Sequence, residues 1–196
     1  MDSAIDDIHD FWFGGLDDAG MCSPLQRQLW FKKSDDTDRL CRERFGTLVD
    51  KAVAGGLEDW PDSDRGLVAL VLLLDQFTRN ISRDTPQAFA GDPRALALAQ
   101  ATIASDHHRR LPAIHQVFLF MPLEHCEDPE VQGECVALFD ELTAITGNRE
   151  IADFARYARA HQEVIALFGR FPHRNALLGS ESTAAELEYL KTHGGF

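Results

Sequence analysis

Leu67-Val68-Ala69-Leu70-Val71-Leu72-Leu73-Leu74 is apolar at every position and runs straight into Asp75-Gln76-Phe77-Thr78-Arg79-Asn80. A helix that is hydrophobic all round must be surrounded by other elements, so this stretch reads as a central helix with a polar edge. It is far shorter than the roughly 20 apolar residues a membrane crossing requires. Across the rest of the chain, alanine and leucine outnumber valine and isoleucine, and helical spacing recurs without strand alternation. The fold class that follows is all-α.

Working outward, Cys41, Phe45, Leu48, Val49 and Ala52 form one helical stripe, opened by Ser34 as an N-cap and closed by Gly55-Gly56. Acidic positions 35 to 38 suit the positive end of its dipole. Asp92-Pro93 opens a helix carrying Leu96, Ala99 and Ile103, and Ile114, Val117, Phe118 and Met121 mark the next, which Pro122 is expected to disrupt. Val131, Cys135, Leu138, Leu142 and Ile145 keep a near-heptad stripe. Ile151, Phe154, Ala158, His161, Ile165 and Phe168 continue the spacing to Gly169, and Thr183 to Glu186 reads as a capping box. About eight helices in one domain, residues 1–196, are expected from these lengths. Phe11-Trp12-Phe13 and Trp30-Phe31 read as aromatic core anchors.

The 196 residues carry a formal net charge of -13, which disfavours nucleic acid and anionic membranes as partners because both demand a basic face. Met1-Asp2-Ser3-Ala4-Ile5-Asp6-Asp7 lacks the basic-then-apolar pattern of a secretory signal. Cys22, Cys41, Cys126 and Cys135 show no C-x-x-C pair or disulfide spacing, so reduced thiols in a cytoplasm are the simplest expectation. No metal or cofactor is expected, since no ligand spacing or Gly-rich phosphate loop occurs.

Within this acidic chain two local cationic islands stand out. Residues 65–83 contain one acid, Asp75, against Arg65, Arg79 and Arg83; residues 164–180 contain no Asp or Glu but include Arg170, His173 and Arg174. Each island ends in Phe…Arg-Asn, as Phe77-Thr78-Arg79-Asn80 and Phe171-Pro172-His173-Arg174-Asn175. Asp75 follows a buried helix and needs a partner, and Arg79, four residues on, shares its face, with Arg83 extending the row. Gln76, Arg79, Asn80, Arg83, Arg170, His173, Arg174 and Asn175 are therefore candidates to hold an anionic small molecule or a peptide or protein partner, because arginine forks match carboxylate and phosphate. A third constellation, Leu123-Glu124-His125-Cys126-Glu127-Asp128, places an imidazole beside carboxylates and a thiol. His125 or His161 as acid or base, with Glu127 or Asp75 orienting it, makes a catalytic alternative. The plainest alternative is that all these groups form internal networks that fix helix packing.

Taken in order, Phe11-Trp12-Phe13-Gly14, Trp30-Phe31, Gly56-Leu57-Glu58-Asp59-Trp60, Leu73 to Asn80, Ala88-Phe89-Ala90, Pro122 to Asp128 and Phe168 to Asn175 resemble an uncharacterised, mainly bacterial family, a domain of unknown function. That resemblance implies a tetratricopeptide-like helical superhelix and brings no established activity or catalytic residues. Two positions depart from the pattern. Thr78 stands where proline is expected and lets the central helix run further, and Cys126 stands where a small hydroxyl residue is common. The binding scaffold is the leading functional expectation on this basis.

Overall fold

The computed structural model describes residues 3–31 and 33–195, with the side chain of Phe31 excepted. The aromatic anchor expected at Phe31, like the stretch Met1-Asp2 in the signal reading, lies outside the described residues. Among those described, the structure is helical, with no strand and one isolated bridge between Leu16 and Cys22. The all-α expectation is met.

In chain order the α-helices are α1 (Ser3–Trp12), α2 (Gln26–Phe31), α3 (Asp35–Val53), α4 (Asp64–Leu72), α5 (Thr78–Ile81), α6 (Asp92–Ala104), α7 (Ala113–Glu124), α8 (Pro129–Thr146), α9 (Arg149–Phe168) and α10 (Ala184–His193). They pack as two compact units. One runs through Arg83 and includes Gln87–Pro122; the other comprises Asp84–Pro86 and the chain from Leu123 onward.

In the first unit, residues 67–74 are all buried, as an all-apolar helix demands. The helix does not stop at Leu72. It widens into a π-helical turn over Leu73–Phe77 and resumes as α5, so the threonine at 78 does carry the helix onward. Thr78 Oγ1 donates to the Leu74 carbonyl at 2.8 Å, anchoring the wide turn from within. Gly91, at the start of α6, lies so close that a Cβ there would sit 2.1 Å from the same carbonyl oxygen. Only glycine permits that approach.

Aromatic rings fill the rest of this core. Trp12, Phe13, Phe77 and Phe118 are fully buried, with Trp12 against Phe77 (5.1 Å between centroids) and Trp30 against Phe118 (4.8 Å). His9 and His115 join them edge to face at 4.9 Å. His108 is buried in the turn His107–Arg110. Its ring stacks edgewise on Phe120, which offers an imidazole more apolar contact than water would.

In the second unit, α8 and α9 form an antiparallel hairpin whose connection is Gly147, left-handed at φ 60°, and Asn148, which N-caps α9. Phe139 and Phe154 stack across it. The capping box at Thr183 and Glu186 forms as expected, as do the caps at Ser34 and Gly169. Pro122 does not stop α7, which runs through it to Glu124. Proline removes one intrahelical hydrogen bond, and the apolar burial of Val117, Phe118, Met121 and Leu123 on that helix outweighs the loss.

His9 and His115 give the fold an acid limit. Burial lowers the His9 pKa, against its bond to the Arg65 carbonyl, which raises it. Burial, then His9 and Arg65, push His115 down to about 3, with Asp64 opposing. Asp6 and Asp10 oppose the shift at His9 in the same way. A folded-state pKa below the ordinary 6.5 means the unfolded chain binds protons first, so stability is lost as pH falls from 6.5 toward 3. Each such histidine contributes a slope of about 1.4 kcal/mol per pH unit. His115→Phe should therefore shrink the difference in unfolding free energy between pH 7 and pH 5, measured by urea titration. An unchanged difference would show that His115 is not neutral and buried.

Candidate functional site

The polar edge that ends the central helix is a closed set of ion pairs within the first unit. Asp75, whose side chain is 1% exposed, lies 3.1 Å from Arg79 Nη1 and accepts a short hydrogen bond from Gln76 Nε2. Arg79 also donates to the Asp75 carbonyl (2.6 Å) and forks onto Asp92 at 2.8 and 3.0 Å. Burial acts to lower the Arg79 pKa, and Asp75 and Asp92 more than reverse it. Its guanidinium further packs on Phe89. Arg83 and Asn80 do not extend this row: both turn to Asp38, Arg83 as a two-bond fork (2.6 and 2.8 Å) and Asn80 at 2.8 Å. Although burial works the other way, these bonds lower the Asp38 pKa. Asp38 and Asp92 are the residues the sequence reading missed. Asp38 was read as a dipole partner and Asp92 as the opening of a helix, and their side chains also serve as counter-ions for arginines 45 and 13 residues away.

The second unit gathers the remaining candidates. The helical period of Ile151, Phe154, Ala158 and Ile165 puts His161 on the inward face of α9, and it is buried there. Its Nδ1 lies 2.9 Å from the Tyr157 carbonyl and 3.0 Å from Glu124 Oε1. Burial first, then His125, Arg174 and His173, push its pKa down to about 3, against the bond to Tyr157. Nδ1 of this neutral ring therefore bonds the Tyr157 carbonyl, with Glu124 Oε1 a close polar contact beside it. Since a carbonyl oxygen can only accept, Nδ1 carries the proton and Nε2 the lone pair.

The carboxylate on His161 is thus Glu124, where the sequence reading put forward Glu127 or Asp75. Glu127 Oε1 instead accepts the Phe171 backbone N–H at 2.8 Å, tying the 170–175 loop to the turn after α7. The signal for Glu124 was present: it follows Val117 by seven residues and Met121 by three, in phase with the apolar face of its helix.

Around His161 the rings form a chain. His125 stands 6.1 Å away edge to face, Phe171 5.5 Å away, and His173 lies 5.8 Å beyond Phe171. Buried Arg174 lays its guanidinium over Phe171 at 4.5 Å and acts electrostatically on both His161 and Cys126. The Cys126 thiol is pushed up by burial, which disfavours a thiolate nucleophile. Arg170 and Asn175 face another way. Arg170 forks onto Glu186 at 2.7 and 2.9 Å and donates to the Glu181 carbonyl, and Asn175 donates to Ser182. Arg170 and the Thr183 backbone hold Glu186 down to about 2. No group of three or more His, Cys, Asp or Glu is arranged for a metal ion among the described residues.

An all-helical chain with a histidine, carboxylate and arginine cluster of this kind can be placed by comparison. It belongs to the bacterial family of unknown function DUF924, matched over residues 8–194, which is the kind of family its ordered motifs resemble. It is similar to the solved structure of a protein of unknown function from Agrobacterium tumefaciens, with 30% identity and a TM-score of 0.81 over 97% of this chain and 98% of that one. Comparison with curated proteins returned no match.

Arg79→Ala takes the cation away from a buried carboxylate, so a loss of about 3–5 kcal/mol in unfolding free energy is expected. Arg156→Ala, which breaks an exposed pair with Asp153, should leave the unfolding midpoint where it is. Equal, small effects of the two changes in chemical denaturation would rule out a structural role for the Asp75, Arg79 and Asp92 set.

Proposed function

We propose that the second unit binds a small anionic molecule, a phosphate ester or carboxylate, through Arg174, His125 and His173, and that His161 exchanges a proton with it. The chain is then an acid–base enzyme. One observation carries this: a neutral, buried imidazole whose Nδ1 bonds the Tyr157 carbonyl and lies 3.0 Å from the buried carboxylate of Glu124, beside an arginine. For packing alone the bond to the carbonyl of its own helix would suffice, and a buried carboxylate is a cost. A carboxylate behind Nδ1 is what fixes a ring so that Nε2 can take a proton.

The charges also explain how a ring with so low a pKa can act as a base. Two of the groups that hold it down after burial are Arg174 and His173. An anion bound between them offsets that repulsion and raises the His161 pKa, so binding itself prepares proton transfer. Arg79, Asn80, Arg83 and Arg170 each already bond a carboxylate of their own unit, which supports a structural role for them over the binding role the sequence suggested. The α8–α9 hairpin supports the tetratricopeptide-like arrangement that the sequence resemblance implies, and four free cysteines fit a reducing cytoplasm.

The test is thermal unfolding and calorimetry of the full chain with inorganic phosphate and with citrate. Either anion should raise the melting temperature, by about 2–4 °C for each kcal/mol of binding. Arg174→Gln should abolish the increment and Arg83→Gln should keep it. Titrations at pH 6 in two buffers should show proton uptake on binding, lost in His161→Gln. No stabilisation by either anion, or an increment indifferent to Arg174, would sink the anion site. Binding without proton uptake would reduce the protein to a scaffold.

A further inference from the structure

We infer that Gln132 is the positioning residue of this site: by clamping the last turn of α7 it sets Glu124, which together with the Tyr157 carbonyl faces His161 Nδ1 and holds the tautomer of the ring. This rests on the reading of the His161 cluster as a functional site.

A helix leaves its last carbonyls without intrahelical partners. Two neighbouring helices of this unit, α8 and α9, solve that with left-handed glycines, Gly147 and Gly169, whose N–H groups bond back to Thr143 and Ile165. At the end of α7 a side chain from the next helix does it. Gln132, fully buried on the second turn of α8, brings Nε2 to 2.6 Å from the Glu124 carbonyl, 2.7 Å from that of Cys126 and 3.3 Å from that of Leu123. The amide's two N–H groups are shared among three acceptors.

That geometry also fixes which way the amide faces, since a flipped group would aim its oxygen at three carbonyls. Oε1 consequently points elsewhere, buried and with no hydrogen-bond partner among the described residues. A glycine cap would have left no such orphan. What the glutamine adds is that both carbonyls flanking His125, those of Glu124 and Cys126, are pinned to α8. Asp128 caps the same helix through Glu130 and Val131 N–H, and Glu127 holds the 170–175 loop. The turn that presents Glu124, His125 and Cys126 is therefore held at both ends, and Glu124 meets His161 at 3.0 Å from a fixed backbone.

The experiment reads the tautomer directly from the ring nitrogen shifts of His161 by NMR, with no ligand present. In the unmodified protein the proton is expected on Nδ1, with no titration between about pH 8 and 5. Gln132→Met, close in shape but unable to donate, should mix the two tautomers and move the titration up toward 6.5, while far-UV circular dichroism stays helical. Thr183→Ala, which removes the capping box elsewhere in the unit, is the control for general loosening and should leave the His161 signal unchanged. Should Gln132→Met not fold, Gln132→Asn draws the amide back by one carbon and is expected to show a partial shift. An unmodified tautomer in whichever of these variants folds, or an equal change in Thr183→Ala, would overturn the inference and leave Gln132 a helix cap. A wild-type ring protonated on Nε2 would overturn the site reading along with it. Failure of the anion experiments alone would leave this result standing, because it needs no anion.

Discussion

A carboxylate taken out of water must be bonded and, if charged, paired, and this requirement organises the polar groups of both units. Asp75 follows eight apolar residues into the core and draws Arg79, Gln76 and, through Arg79, Asp92 around it. Glu124 closes α7 at the same depth and lies 3.0 Å from a neutral imidazole. The two solutions differ in kind. Asp75 and Arg79 neutralise each other, whereas Glu124 lies against a neutral, oriented ring on which Arg174 also acts.

That difference separates structure from chemistry in the set of candidates. Forks such as Arg83 on Asp38 and Arg170 on Glu186 bridge positions 45 and 16 residues apart and consume the donors an anion would need. The cluster around His161 is assembled from the end of α7, the inner face of α9 and the loop after Gly169, with Phe171 as the common surface. A ring that His161, His173 and Arg174 all touch is a platform as well as a core residue. Its backbone N–H, donated to Glu127, completes the connection between the turn and the loop.

The π-helical turn at Leu73–Phe77 shows how closely such a solution depends on neighbours. Widening the helix lets Asp75 reach its partners, and the carbonyl of buried Leu74 is met by the Thr78 hydroxyl and approached by Gly91. Neither proline at 78 nor any side chain at 91 would allow the same packing.

Much of this was legible in the residues. Periodicity is a local property, so the helices, their caps at Ser34, Thr183 and Gly169, and the inward face of His161 follow from the order of residues alone. The need of Asp75 for Arg79 follows as well, since four residues is one helical turn. Tertiary structure decided the rest, because partners distant in sequence carry no local mark: Asp38 for Arg83, Asp92 for Arg79, Glu186 for Arg170 and, above all, Glu124 for the neutral ring of His161. Spacing can say that a charge is buried. Which partner satisfies it depends on which helices are packed side by side.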